Sequence, residues 1–269
     1  MTMTTLLARA AALGIAALVG LGAVGAAAAA PRPAAVVRSA AGPDAAALQG
    51  AVEAFRADLG GANNGVGGAF PDGRREINWD GVPDARSAPN ALPADFFNTT
   101  SPRGAVFATP GAGFQVSAND GVAPVRFATI DPSYAAAFTT FSPQRLFTAV
   151  GSTVTEVRFF VPGTQTPATV GGFGAVFTDV DRHGSTRIEY FNATGKRLGA
   201  ARVPASPDGG LSFLGVSFPG ERDEDRVAWV RITAGSHPLA PGATDGKGRD
   251  LVALDDFLYG EPRALTAPR

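Results

Sequence analysis

Val154-Thr155-Glu156-Val157-Arg158-Phe159-Phe160-Val161-Pro162-Gly163, then Gly171-Gly172-Phe173-Gly174-Ala175-Val176-Phe177-Thr178-Asp179-Val180-Asp181, then Thr186-Arg187-Ile188-Glu189-Tyr190-Phe191-Asn192: the periodicity of this stretch decides the fold. In the first segment Val157, Phe159 and Val161 share one side and Glu156 and Arg158 the other; in the second, Phe173, Ala175, Phe177, Asp179 and Asp181 line up. Alternation with a period of two belongs to β-strands, not to a helix of about 3.6 residues per turn. Pro162-Gly163 and Arg182-His183-Gly184-Ser185 break the pattern with turn chemistry, so the segment is expected to fold back on itself as antiparallel strands.

Working outward, residues 211–218 put Leu214, Val216 and Phe218 on one face, 227–233 put Val230 and Ile232 inward, and 251–259 close the set. On the N-terminal side, strands are expected at 105–108, 114–117 and 125–128, and at 74–81, where Ile77 and Trp79 oppose Asn78 and Asp80. Residues 138–147 fit no single element. Leu48, Val52, Phe55 and Leu59 recur at helical spacing, with Asp44 as cap and Gly60-Gly61 as stop. About ten strands, one short helix, no strand–helix alternation and no internal repeat predict an all-β antiparallel sandwich of jelly-roll type with one short N-terminal helix.

The chain has 269 residues, 45% of them apolar, which is ample for one core. A formal charge of −1 gives no electrostatic footprint for nucleic acid or anionic lipid. Zero cysteines exclude disulfides, thiol catalysis and thiolate metal sites. Arg9, the Ala/Leu/Gly/Val run 10–30 and Pro31-Arg32-Pro33 read as a secretory signal peptide. Proline directly after the cut is a poor substrate, which places cleavage after Ala28 or Ala29; a retained membrane anchor is the competing reading. The expected organisation is a signal peptide at 1–29, a flexible linker at 30–43, a single β-sandwich domain at 44–261 and a polar tail at 262–269. After cleavage no membrane contact is expected, and the protein is released outside the cytoplasm.

Two places carry candidate chemistry. Asp179-Val180-Asp181-Arg182-His183-Gly184 opens like a calcium loop, but His183 and Tyr190 occupy the fifth and twelfth positions, where an EF-hand needs oxygen ligands. A looser calcium site at Asp179 and Asp181 would need oxygens from another loop; otherwise the two aspartates make turn hydrogen bonds. In Leu254-Asp255-Asp256-Phe257, neighbours on a strand point to opposite faces, so one carboxylate turns toward the packed side and demands a partner. First and last strands of a sandwich are often neighbours, which makes Asn78, Asp80 and one of Asp255 or Asp256 an oxygen cluster; backbone N–H groups, Arg74 or Arg75 are the alternative partners.

His183 and His237 are the only histidines, both in expected loops, and no Gly-x-Ser-x-Gly elbow accompanies them. Paired carboxylates would serve a polysaccharide hydrolase, a non-specific signal. Phe160, Phe191 and Trp229 fall opposite the inward-facing residues, where they stack on sugar rings or pack as core under a further layer. The sequons at Asn98 and Asn192 carry no weight, and 221–226 reads as a solvated charged loop.

Gly73-Arg74-Arg75-Glu76-Ile77-Asn78-Trp79-Asp80-Gly81, Leu92-Pro93-Ala94-Asp95-Phe96-Phe97-Asn98, Phe160-Val161-Pro162-Gly163-Thr164, residues 172–181 and Asp255-Asp256-Phe257-Leu258-Tyr259-Gly260 make residues 55–261 resemble a group of uncharacterised exported bacterial proteins. Some of these are sorted to the surface by PEP-CTERM-type tails. The resemblance implies a secreted, lectin-like β-sandwich and supplies no catalytic residue. After Glu261-Pro262 this sequence has no apolar span and no basic cluster, unlike the tailed members, so release into the medium or periplasm is expected. The leading expectation is a non-enzymatic module binding an extracellular glycan or matrix component, with calcium as structural ion. Its rivals are the hydrolase and a structural surface or matrix protein.

Overall fold

The computed structural model describes Met1 and residues 34–118 and 125–266, so the expected signal peptide lies outside the described residues but for Met1. The first half of the chain forms β1 (Val36–Gly42), α1 (Ala45–Leu59), β2 (Arg74–Ile77), α2 (Phe96–Thr99), β3 (Ala105–Ala108), β4 (Gly113–Val116), α3 (Tyr134–Ala137) and β5 (Phe147–Val150). The second forms β6 (Val154–Phe159), β7 (Ala168–Thr169), β8 (Gly172–Thr178), β9 (Arg187–Phe191), β10 (Arg197–Arg202), β11 (Leu211–Ser217), β12 (Trp229–Thr233), β13 (Ala253–Gly260) and β14 (Arg263–Ala264).

The architecture is an antiparallel β-sandwich. One sheet runs β1-β11-β8-β13-β5-β4, with β2 also on β13; the facing sheet runs β10-β9-β12-β6-β3. Inward side chains of both sheets, among them Phe173, Phe177 and Phe257 from one and Val157, Ile188, Tyr190 and Val230 from the other, form a single core. Tyr190 donates its hydroxyl across that core to the Phe173 carbonyl at 3.2 Å, so its polar end is satisfied where it is buried.

The three strands of the opening stretch do not pair with one another. β6 and β9 flank β12 in the five-stranded sheet, whereas β8 lies between β11 and β13 in the other. The reason is burial: every residue of β8 is buried, while β6 and β9 alternate, so β8 needs a cover on both faces. Helix α1 supplies it. Asp44 caps the helix by accepting from the Ala47 N–H at 3.1 Å, and Leu48, Val52 and Phe55 pack on Val176, Phe213 and Leu258. The Phe55 ring comes so close that a Cβ on Gly174 or Gly215 would stand 2.8 or 2.7 Å from it, which is why this paired position holds glycines.

Two expectations about the ends need correction. The supposed flexible linker contains β1, all seven residues of which pair with β11, and the supposed polar tail contains β14, paired with β7. Both are short-side-chain or polar edge strands, held by backbone hydrogen bonds that leave little mark in composition. Residues 125–128 form a turn rather than a strand, with Arg126 and Phe127 at φ of 48° and 68°. Strand β10 has no clear apolar alternation and was not foreseen. Among the described residues no helix is long and apolar enough to cross a membrane.

Candidate functional site

Thr178, the last residue of β8, pairs with Leu211 at the start of β11 on one side and with Ala253 at the start of β13 on the other. The loops leaving β8, entering β11 and entering β13 therefore meet at one end of the sheet. Each brings aspartate: Asp179 and Asp181 from the first, Asp208 from the Pro207-Asp208-Gly209-Gly210 turn, and Asp245 from the turn before β13. One carboxylate oxygen from each of these four lies within 4.8 Å of the others. Asp179 sits at φ 68°, which ends β8 and turns the chain into the site; its Oδ1 accepts from the Gly209 N–H at 2.7 Å. Asp245 Oδ1 accepts from the Leu251 N–H at 3.0 Å.

Burial, assisted by the charges of Asp245, Asp208 and Asp250, pushes the Asp179 carboxyl up to about 7 against the opposing Gly209 N–H. Asp181 goes to about 8, through burial, a proton shared with Asp245 and the charges of Asp179, Asp245 and Asp208. Asp181 Oδ1 and Asp250 Oδ2 are closed to solvent with no hydrogen-bond partner. Buried carboxylate oxygens without donors are costly unless protonated or bound to a cation. Four close aspartates offering only oxygen can hold a metal ion, and hard cations suit such donors. Asp208 and Asp245 carry no motif of their own in the sequence; an Asp-Gly pair in the loop leading to each of two strands is the available signal.

The second pair is built differently. β2 pairs antiparallel with β13, Ile77 opposite Phe257, which brings Asn78 and Asp80 toward Asp255 and Asp256. The β13–β8 register slips between Leu254 and Phe257, so both aspartates oppose the single residue Val176 in a bulge. Both are buried, and neither uses Arg74 or Arg75, which pair with Glu76 and Glu261. The donors come from residues 141–145: the Phe141 N–H reaches Asp255 Oδ2 at 2.6 Å, the Ser142 hydroxyl Asp256 Oδ1 at 2.6 Å, and the Gln144 and Arg145 N–H groups Asp80 Oδ1 at 2.6 and 3.0 Å. None of Asp80, Asp255 and Asp256 belongs to the four-aspartate group. Burial raises Asp256 to about 6, against the Ser142 and Asp255 hydrogen bonds, and raises Asp255 well above the ordinary carboxyl value, with the Asp256 charge adding to it. Asp256, Asn78, Glu76, Arg56 and Arg103 line a cleft of about 450 Å³. Burial pushes Glu76 up, but the hydrogen bonds and charges of Arg56 and Arg74 outweigh it and hold it below the usual range.

A third feature lies on the outer face of the five-stranded sheet. Trp229 stacks on Phe191 with centroids 3.8 Å apart and planes 5° from parallel. Trp229 lines an open cavity of about 470 Å³, and Glu156, Arg187, Glu189 and Arg231 of the same sheet line another of about 540 Å³. Phe160 lines the first of these. The sequon asparagines Asn98 and Asn192 are both buried and spend their side chains on internal hydrogen bonds. No family model, curated protein or solved structure matches this chain. Fold and site define its class: an antiparallel β-sandwich carrying four close aspartates able to hold a metal ion.

Proposed function

We propose that this chain is an exported, non-enzymatic binding module for an extracellular glycan or matrix component, stabilised by calcium. The observation that carries the reading is the outer face of the five-stranded sheet, where an indole lines an open cavity of about 470 Å³ and charged side chains of the same face line a second of about 540 Å³. The strand paths β5-β13-β8-β11 and β6-β12-β9-β10 support a jelly-roll, the two-sheet form in which many lectins are built. The four-aspartate group supports calcium, which takes six to eight oxygens with flexible geometry; backbone carbonyls and water would complete the shell. Export rests on the N-terminal leader and the family resemblance.

Glycan-array binding without product release tests the module. Trp229→Ala is expected to weaken binding about tenfold or more, equal to about 1.4 kcal/mol, with the unfolding midpoint little changed. Array silence across neutral and charged glycans overturns the reading. The hydrolase alternative is favoured by one observation, that Asp256 and Glu76 line the same cleft with acidities driven apart. Reducing-sugar release abolished by Asp256→Asn would establish it. Concentration-dependent assembly without ligand would establish a matrix protein instead.

A further inference from the structure

The outer face of the five-stranded sheet is mapped by its register. One row across the strands reads Val106, Arg158, Trp229, Phe191, Arg197; the next reads Ala108, Glu156, Arg231, Glu189, Ala200; a third brings Val154, Thr233, Arg187 and Arg202 together. Five arginines thus share a face with two glutamates, in a chain whose net charge is −1.

Each glutamate is claimed twice. Glu156 accepts from Arg231 at 2.7 Å and Arg158 at 3.1 Å; Glu189 lies 3.3 Å from Arg197 and 3.6 Å from Arg187. A carboxylate neutralises one guanidinium, so each trio keeps a surplus positive charge. The exposures are graded to match: both glutamate side chains are 16% exposed, whereas Arg231, Arg187, Arg158 and Arg197 are 42%, 45%, 54% and 60% exposed. The recessed acids fix the arginine stems; Arg158 and Arg231 lie over the Trp229 ring, each 5.6 Å from its centroid, and keep N–H donors that Glu156 does not use. Such half-exposed pairs add little stability, so stability does not explain the arrangement. Nor does it explain Arg187 directly opposite Arg202, since like charges facing each other across a ladder are unfavourable. A surface that keeps that repulsion and an arginine surplus is complementary to an anion.

We infer that this face binds a polysaccharide whose rings bear carboxylates, a uronate polymer, with Trp229 against a ring in the 470 Å³ cavity and the outward arginine forks on its carboxylates; this rests on the binding-module reading. The anion these forks already hold at Glu156 and Glu189 is a carboxylate. Arg231 and Glu156 also line the 540 Å³ cavity with Arg187 and Glu189, while Arg158 and Trp229 line the 470 Å³ one, so a chain spanning both cavities meets arginine in each. At about 3.3 Å per residue and about 4.8 Å between strands, the three rows offer room for several linked rings.

The test is calorimetric titration of the mature protein with a galacturonate hexamer and with the same hexamer after reduction of its carboxylates to alcohols. The acidic hexamer is expected to bind about tenfold tighter, and to weaken about fivefold when NaCl rises from about 50 to about 300 mM. Arg158→Gln and Arg231→Gln should each cost about fivefold for the acidic hexamer and less than about twofold for the reduced one, narrowing the preference between the two, with the unfolding midpoint little changed. Equal, salt-insensitive binding of the two hexamers overturns this inference and leaves the binding module standing. Binding of neither hexamer, with other glycans bound on the array, also overturns it alone; silence toward every saccharide overturns both. Self-association lost in Arg231→Gln, in place of saccharide binding, overturns it in favour of a second copy on this face.

Discussion

Asp179 and Asp181 stand just beyond the end of β8, Asp255 and Asp256 lie within its neighbour β13, and the fold treats the two pairs in opposite ways. Around Asp255 and Asp256, residues 141–145 present N–H and O–H donors, so burial is compensated by hydrogen bonds and a retained proton. Around Asp179 and Asp181, the chain brings further carboxylates and leaves Asp181 Oδ1 with nothing to accept from. The difference teaches that a buried acid alone says little: donors nearby mean a clip for the backbone, and other acids nearby mean a place for a cation.

Removing the clip should produce the largest effect. Asp255→Ala leaves the Phe141 N–H without its partner and is expected to cost about 2–4 kcal/mol, lowering the thermal midpoint by about 5–15 °C. Asp255→Asn keeps an acceptor and should cost less than about 1 kcal/mol; equal losses in both variants would break the contrast. Calcium comes next. At about a hundred times its dissociation constant it should raise the wild-type midpoint by about 5–10 °C, corresponding to about 2.7 kcal/mol. Asp181→Asn should abolish that rise and Asp255→Asn should preserve it. A rise lost in the second and kept in the first would reverse the assignment of the two pairs.

The smallest effect is in the pH dependence. Asp256 has a folded-state value of about 6, above the roughly 3.9 of an unfolded aspartate, so the native state holds its proton more tightly. Its contribution is complete below about pH 4 and is lost as pH rises through about 6. Asparagine imitates the protonated acid, so denaturant titrations of wild type and Asp256→Asn should agree on the acid side and diverge as pH rises across that window, the wild type losing stability that the variant keeps. Parallel curves would show that Asp256 is not held protonated.

Much of this molecule can be read from alternation. β6, β8, β9, β11, β12 and β13, and the Asp44-capped helix α1, follow from side-chain spacing because each buries an apolar face. β1 and β10 escape it, since an edge strand is defined by its partner's backbone rather than by its own apolar residues. The turn at Arg126 and Phe127 is hidden from alternation for a related reason: a short apolar run does not reveal a positive φ. The candidate site was half visible. Asp179 and Asp181 announce themselves by their spacing, but Asp208 and Asp245 stand 29 and 66 residues beyond Asp179 and join it only through pairing of Thr178 with Leu211 and Ala253.

By itself the chain's order of residues determined that strands would form, which of their faces would be apolar, and where aspartates would stand at strand ends, because these depend on neighbours within a few positions. The tertiary structure alone decided which strands lie side by side, that Asp255 and Asp256 share a bulge, that four aspartates meet, and that arginines crowd one outer face. Those outcomes depend on register, and register is set by the joint burial of two sheets and a helix, an energy no local pattern contains.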